Sequence, residues 1–330
     1  MKILVTGSAG FIGFHVSKKL IENGHKIVGI DNFNSYYDVK LKNDRHKYLK
    51  DKFKKNFLFF KIDLKNYSKL KKLFKKEKFD YVINLAAQAG VRMSIDKPDS
   101  YFDSNLIGFY NILKCCTNFK IKHLVAASSS SVYGEQKNNT KENYETSKPT
   151  QFYAATKKAN EVMAHAFSNI YKIPITMIRL FTVYGPWGRP DMALYKFTEA
   201  LTRKKKIFLY NQGNHLRDFT YIDDIVSGII LSLNKIPKKD KKISIPFEVY
   251  NLGNNKSVHL KKLVSELQKQ LNIKAKIIYL KKQKGDVIKT SASILKARKK
   301  LGYAPKTQIE KGISKFLLWY MKYKQSEKFK

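Results

Sequence analysis

The sequence predicts an α/β protein: a doubly wound parallel sheet with a smaller, interleaved C-terminal part. Three observations lead there. Short runs nearly continuous in Val, Ile, Leu and Phe recur through the first half, as in strands buried on both faces. Helical patterns separate them, and that alternation implies parallel strands joined by right-handed crossovers. A glycine-rich turn, Gly7 to Gly13, joins the first such run to the first helical pattern.

Taken in order, strands are expected at Lys2 to Thr6, Lys26 to Ile30, Phe57 to Ile62, Tyr81 to Leu85 and His123 to Ser128. Helices are expected over about 11–23, 66–76 and 101–118. A longer helix over about 151–171 precedes a strand at Ile175 to Leu180. Beyond residue 185 the pattern loosens into helices near 192–204, 222–234, 258–271 and 309–324, between loops rich in Lys, Gly and Asn. The expected division is a first domain over 1–185 and a second over 186–330. A later strand and helix are expected to return to the first.

Composition narrows the class. An apolar share of 43% excludes a disordered chain. The mean hydropathy of −0.42 excludes a membrane bundle, and no apolar run approaches the roughly 18 to 20 residues a bilayer requires. Two cysteines, adjacent at Cys115 and Cys116, exclude a disulfide scaffold or a Cys-rich metal site. The first strand is expected from Lys2, leaving no room for a targeting peptide, so a cytoplasmic location is expected. The formal charge of +39 comes from 58 lysines and only seven arginines. Lysines spread along the whole chain form solvated helix faces, as over Lys69 to Lys78, and read as the signature of an AT-rich genome. Weak, salt-sensitive attraction to polyanions follows, with no specific nucleic acid expected.

The run Gly7-Ser-Ala-Gly10-Phe11-Ile12-Gly13 points to a nucleotide. Its glycines allow a tight turn and close approach of backbone to a pyrophosphate, and a helix N-terminus supplies free N–H groups and a favourable dipole. Asp31 stands 18 residues after Gly13 at the end of the second strand. A carboxylate there binds the adenosine ribose hydroxyls and repels a 2′-phosphate, which favours NAD over NADP. Asp63, ending the third strand, is placed to meet the adenine edge. These features specify a Rossmann-type first domain.

Tyr153 and Lys157 lie four apart, on one face of the long helix. A neighbouring ammonium stabilises a phenolate, and a bound nicotinamide cation adds to that, so Tyr153 is the expected general base. Ser128 to Ser131 end the preceding strand, at the sheet edge where open α/β folds bind ligands. A serine there can bond the substrate oxygen and shuttle its proton. No carboxylate interrupts the serines, so the site is equipped for hydride and proton transfer, not dehydration. The seven histidines show no paired metal spacing.

Together these residues resemble the extended short-chain dehydrogenase/reductase family. Leu85 to Arg92, Asp103 to Gly108, Ser128 to Gly134, Tyr153 to Asn160, Leu180 to Ala193 and Arg217 to Asp224 look like UDP-glucuronate 4-epimerases, over almost the whole chain. The resemblance implies that Gly7, Gly10 and Gly13, with Phe11 and Ile12, cradle the NAD pyrophosphate. It places Asp31 and Asn32 on the adenosine ribose, Asp63 and Leu64 on the adenine, and Ala86 against the cofactor. Tyr153 is implied as base, Lys157 as its partner on the nicotinamide ribose, and Ser129 as the holder of sugar O4. Ser130 and Ser131 stand beside it. Thr182 and Arg189 are implied to face the sugar carboxylate, Arg217 the UDP diphosphate, and Arg92 the substrate; Asn105 braces the strands near the cofactor.

The implied reaction oxidises C4 transiently, turns the 4-keto sugar and returns the hydride, interconverting UDP-glucuronate and UDP-galacturonate. The products would feed acidic surface polysaccharides. A homodimer through the helices near 101–118 and 151–171 is implied too. Met93 departs from a usual Tyr, Lys284 from Pro and Ser293 from Asp. An independent argument comes from arginine: in a chain of 58 lysines, Arg marks sites where Lys will not serve. Arg92, Arg179, Arg189 and Arg217 fall inside the quoted motifs. Two alternatives stay open: a 4-epimerase of a neutral or N-acetylated UDP-hexose, and a nucleic-acid-binding protein on a vestigial dehydrogenase fold. Intact Tyr153, Lys157 and Ser129 argue against the second.

Overall fold

A computed structural model describes residues 1–136, 138–238, 244–283 and 285–328; Lys284 lies outside them. The strands, in chain order, are β1 (Lys2–Thr6), β2 (Lys26–Asp31), β3 (Phe57–Lys61), β4 (Tyr81–Asn84), β5 (His123–Ser129), β6 (Ile175–Leu180), β7 (Thr182–Tyr184), β8 (Lys206–Tyr210), β9 (Leu216–Tyr221), β10 (Phe247–Leu252), β11 (Ser257–His259) and β12 (Lys276–Leu280). Seven form one sheet in the order β10-β6-β5-β4-β1-β2-β3, and every pairing in it is parallel. This is the doubly wound sheet expected from the alternation.

Successive side chains of a strand point to opposite faces, and here both faces are buried. Ile3 and Val5 join one core with the helices Phe11–Glu22 and Ile222–Asn234. Leu4 joins the other with the helices Tyr67–Glu77, Gly108–Asn118 and Phe152–Tyr171. The strand order reverses between β1 and β4, and a crevice opens there. Thr6 pins that point: its hydroxyl donates to Asn84 at 2.7 Å and accepts from the Leu85 and Ala86 amides at 3.1 and 3.0 Å. Two small sheets, β11-β9-β7 and β12-β8, complete the chain.

The expected returning strand is β10, paired with β6 along Phe247 to Leu252. The expected helix over 101–118 is three pieces. A turn of π-helix, Phe102–Ile107, separates Pro98–Tyr101 from Gly108–Asn118. It turns Asn105 inward, where its amide accepts from Gln88 N at 2.8 Å and donates to Thr156 Oγ1 at 3.0 Å. The expected helix over 258–271 begins at Leu260, because Ser257–His259 is strand.

The helix Val39–Lys52 was not expected. Its inward positions are Leu41, Lys42, Arg45 and Leu49, so two cations interrupt the apolar stripe that marks a packed helix. Strands β7, β8, β9, β11 and β12 also escaped the sequence reading. They are short, and their partners are distant in sequence, as β8 and β12 are. Among the described residues no helix is long and apolar enough to cross a membrane.

Candidate active site

A cavity of about 1030 Å³ lies along the carboxyl ends of the central strands. The glycine turn forms one wall. Gly7 has φ +69°, and a Cβ on Gly13 would sit 2.0 Å from the Gly7 carbonyl oxygen, so neither position accepts a side chain. Gly10 caps the helix Phe11–Glu22 with no side-chain bond to its first turn, which leaves those N–H groups for an anion. Asp31 accepts from the Ala9 and Phe33 amides at 3.2 and 2.9 Å. Asn32 donates to Asp63 at 2.9 Å, joining the ends of β2 and β3. Among the described residues the buried Gln88 Nε2 in the same cavity has no hydrogen-bond partner. The cradle, the uncapped helix and this spare donor fit a dinucleotide.

Ser129, Tyr153 and Lys157 converge from β5 and the long helix into the same space. Ser129 Oγ accepts from Ser131 N at 3.2 Å and from Ser131 Oγ at 2.9 Å, ordering the serine run as a short 3-10 turn. Burial pushes the Tyr153 phenol above its ordinary value, while the Ser129 hydroxyl and the Arg189 charge pull it down. The sequence reading expected a lowered phenol through Lys157. In the protein alone burial wins, and the hydrogen bond of Lys157 Nζ goes to the Ala127 carbonyl at 2.9 Å. Burial in turn brings the Lys157 ammonium down to about 8, against the pull of Glu161.

The arginines divide. Arg179 is structural: it grips Glu161 with two bonds of 2.8 Å and donates to the Tyr133 hydroxyl at 2.9 Å, all buried. Arg189 lines the cavity, carried by a turn in which Trp187 holds φ +61°. Trp187 packs against Phe14, Trp319 and Tyr323 at ring distances of 5.3 to 5.5 Å, which fixes that turn. The fork of Arg189 is engaged by Asp191, through Nε at 2.9 Å and Nη2 at 2.5 Å. Thr182, half-buried at the start of β7, lies on the cavity wall. At the far end Arg92 donates to Asp286 at 3.2 Å and its guanidinium lies over the Tyr210 ring at 4.8 Å. Arg217 donates to the Ile288 carbonyl at 3.0 Å.

All the residues singled out from the sequence for catalysis, cofactor and substrate line this one cavity. Met93 lines it too, whereas Ser293 is buried and donates its amide to the Thr140 carbonyl at 2.9 Å. Sequence reasoning missed Tyr36, Lys42 and Asp191 on the wall, and Arg45 behind it. Arg45 is fully buried and joins three segments, donating to Ala9 O at 3.1 Å, Tyr37 Oη at 2.8 Å and Trp187 O at 2.5 Å. The scarcity of arginine was the available signal for it. Lys42 donates to the Asn34 carbonyl at 2.7 Å, and burial brings its ammonium down to about 8 against the pull of Asp31.

Fold and site together define an NAD-dependent enzyme of the extended short-chain dehydrogenase/reductase class. Residues 4–316 match the family model described as GDP-mannose 4,6 dehydratase, and the chain belongs to that family. It is 48% identical to Protein CapI of Staphylococcus aureus, over 98% of this chain and 99% of that one. It is 43% identical to UDP-glucuronate 4-epimerase 4 of Arabidopsis thaliana, over 99% of this chain and 76% of that one. The crystal structure of UDP-glucuronic acid 4-epimerase from Bacillus cereus, in complex with UDP-glucuronic acid and NAD, superposes with a TM-score of 0.90 at 33% identity, covering 98% of this chain and 100% of that one. Within its family the chain therefore sides with the NAD-dependent UDP-sugar 4-epimerases.

Proposed function

We propose that the protein interconverts UDP-glucuronate and UDP-galacturonate by inverting C4. The observation that carries this is one cavity in which Tyr153, Ser129 and Lys157 stand beside Thr182 and Arg189, with no carboxylate among the serines. The likeness to proteins named as UDP-glucuronate 4-epimerases supports the choice of sugar.

Bound in the glycine cradle, NAD supplies a hydride acceptor and donor for C4. The first-turn amides after Gly10 and the turn Gly7 to Gly13, with Phe11 and Ile12, hold the pyrophosphate. Asp31 and Asn32 take the adenosine ribose, Asp63 and Leu64 the adenine, and Ala86 packs against the cofactor. Ser129 bonds the sugar O4, and Tyr153 accepts its proton. The phenol that burial pushes up is brought within range by positive charge, from Lys157, Arg189 and the bound nicotinamide. The 4-keto sugar turns about its diphosphate link, held by Arg217 and Arg92. Tyr153 would give the proton back to O4 when the turned sugar is reduced on its other face. Ser130, Ser131 and Thr182 offer hydroxyls to the sugar. Residues 1–185 hold the cofactor and, through Arg92, Ser129 to Ser131, Tyr153 and Thr182, part of the sugar nucleotide; 186–330 add Arg189 and Arg217.

The engagement of Arg189 by Asp191 favours a second reading, in which the substrate is a neutral UDP-hexose. Incubation with a panel of UDP-sugars, followed by separation of products, decides between them. Epimerisation of UDP-glucuronate with no net consumption of NAD is expected; turnover of neutral sugars alone would overturn the reading. Tyr153→Phe should keep NAD bound and cut turnover by roughly 10² or more.

The helices Gly108–Asn118 and Phe152–Tyr171, with the turn before the first, leave Phe102, Tyr110, Val162 and Ile170 exposed. We propose that these faces pair two copies. Light scattering that returns a monomer mass at micromolar concentration would rule this out.

A further inference from the structure

The group best suited to grip a sugar carboxylate already holds one. Arg189 presents Nε and Nη2 to the two oxygens of Asp191. The Tyr36 hydroxyl donates to Asp191 Oδ2 at 3.1 Å, and the Arg189 guanidinium lies over the Tyr36 ring at 5.4 Å. All three side chains line the cavity. Tyr36 is itself fixed by a close approach to Gly90, where a Cβ would fall 2.0 Å from its hydroxyl oxygen. A bidentate carboxylate uses one edge of the guanidinium, so a substrate carboxylate and Asp191 cannot share that edge.

We propose that Asp191 is a specificity-determining residue: an internal competitor that yields the bidentate edge of Arg189 to a sugar C5 carboxylate and takes it back when the sugar turns. Tyr36 bonds Asp191 in the closed state and holds it more tightly once Arg189 has left it, so its hydroxyl favours the released state. This rests on the uronate reading above. The logic is physical. A half-buried guanidinium left without a counter-charge is costly. A sugar that must present both faces of C4 has to let go of whatever holds its carboxylate. An aspartate two residues away fills the gap at that moment, so the arginine is paired throughout. A neutral hexose brings no carboxylate and leaves the Arg189–Asp191 pair closed.

The experiment is steady-state kinetics of Asp191→Asn, Tyr36→Phe and the double variant on UDP-glucuronate, with the affinity for UDP measured in parallel. Removing the competing charge should lower KM for UDP-glucuronate by about 3- to 30-fold, and kcat should fall with it because release for turning is slowed. The affinity for UDP, which has no C5 group, should move by less than about twofold. Tyr36→Phe should act in the opposite direction, raising KM by about 3- to 10-fold. In the double variant the Tyr36 effect should vanish, because it acts through Asp191. A raised KM in Asp191→Asn would mean that Asp191 merely holds Arg189 in place, and would overturn the proposal. If that variant does not fold, an unchanged KM in Tyr36→Phe overturns it equally. A wild type that leaves UDP-glucuronate untouched sinks the functional reading itself, which is a different result from an active wild type with the wrong sign in the variants.

Discussion

At the scale of single residues, the site sets a base against its own burial. Tyr153 is pushed up by desolvation, yet the proposed chemistry needs it to accept a proton near neutral pH. The compensating charge has to come from cations, and Lys157 is the lysine of the same helix that lines the cavity. Lys157→Met should lower kcat by roughly 10² and move the acid limb of the kcat profile upward by about one pH unit or more. Loss of activity with an unmoved limb would give Lys157 a binding role only. The base-side behaviour has its own sign. Lys157 itself comes down to about 8 through burial, so its charge is present at neutral pH and is lost as pH rises through that value. Arg45 and Arg179 teach the complementary lesson. The rule that Arg stands where Lys will not serve is right for both, but their many donors serve the protein's own carbonyls and carboxylates instead of a ligand.

At the scale of elements, buried polar links join pieces that hydrophobic contact alone would leave free to slide. His123, on β5, reaches Thr176 Oγ1 on β6 at 2.9 Å and the Leu233 carbonyl of the helix Ile222–Asn234 at 3.2 Å. Burial lowers its pKa to about 4, against the bond to Leu233. The unfolded chain protonates near 6.5 and the folded one near 4. Its contribution is therefore full above about 6.5 and is lost as pH falls through 4. His123→Gln, whose amide does not titrate, should flatten the fall of Tm between pH 6.5 and 4; an identical slope would show that other groups govern it. The same scale shows what the sequence could disclose. The glycine turn, the first six strands and the long helix announce themselves because each pattern is local and apolar. The helix Val39–Lys52 does not, because Lys42 and Arg45 occupy inward positions for polar reasons. Tyr153, Lys157 and Ser129 were legible from their placement on predicted elements. The grip of Asp191 on Arg189 was not, since only the turn at Trp187 decides where that guanidinium points.

At the scale of the whole molecule, the charge of +39 is a property of the surface and not of the site. Spread lysines attract any polyanion through counterion release, without reading it. Retention on immobilised DNA should fall steeply between roughly 0.05 and 0.2 M salt; sequence-selective binding that persists at physiological salt would contradict this. The placement of β10 bears on something else, the order of events while the chain is being made. Strand β6 ends at Leu180, but the strand that covers its outer edge ends at Leu252. At synthesis rates of about 5 to 20 residues per second, that edge waits roughly 4 to 15 s for its partner. An uncovered strand edge is a template for pairing with another chain. Nascent chains on crowded ribosomes thus pass through an interval in which this edge is open to pairing with a neighbour's.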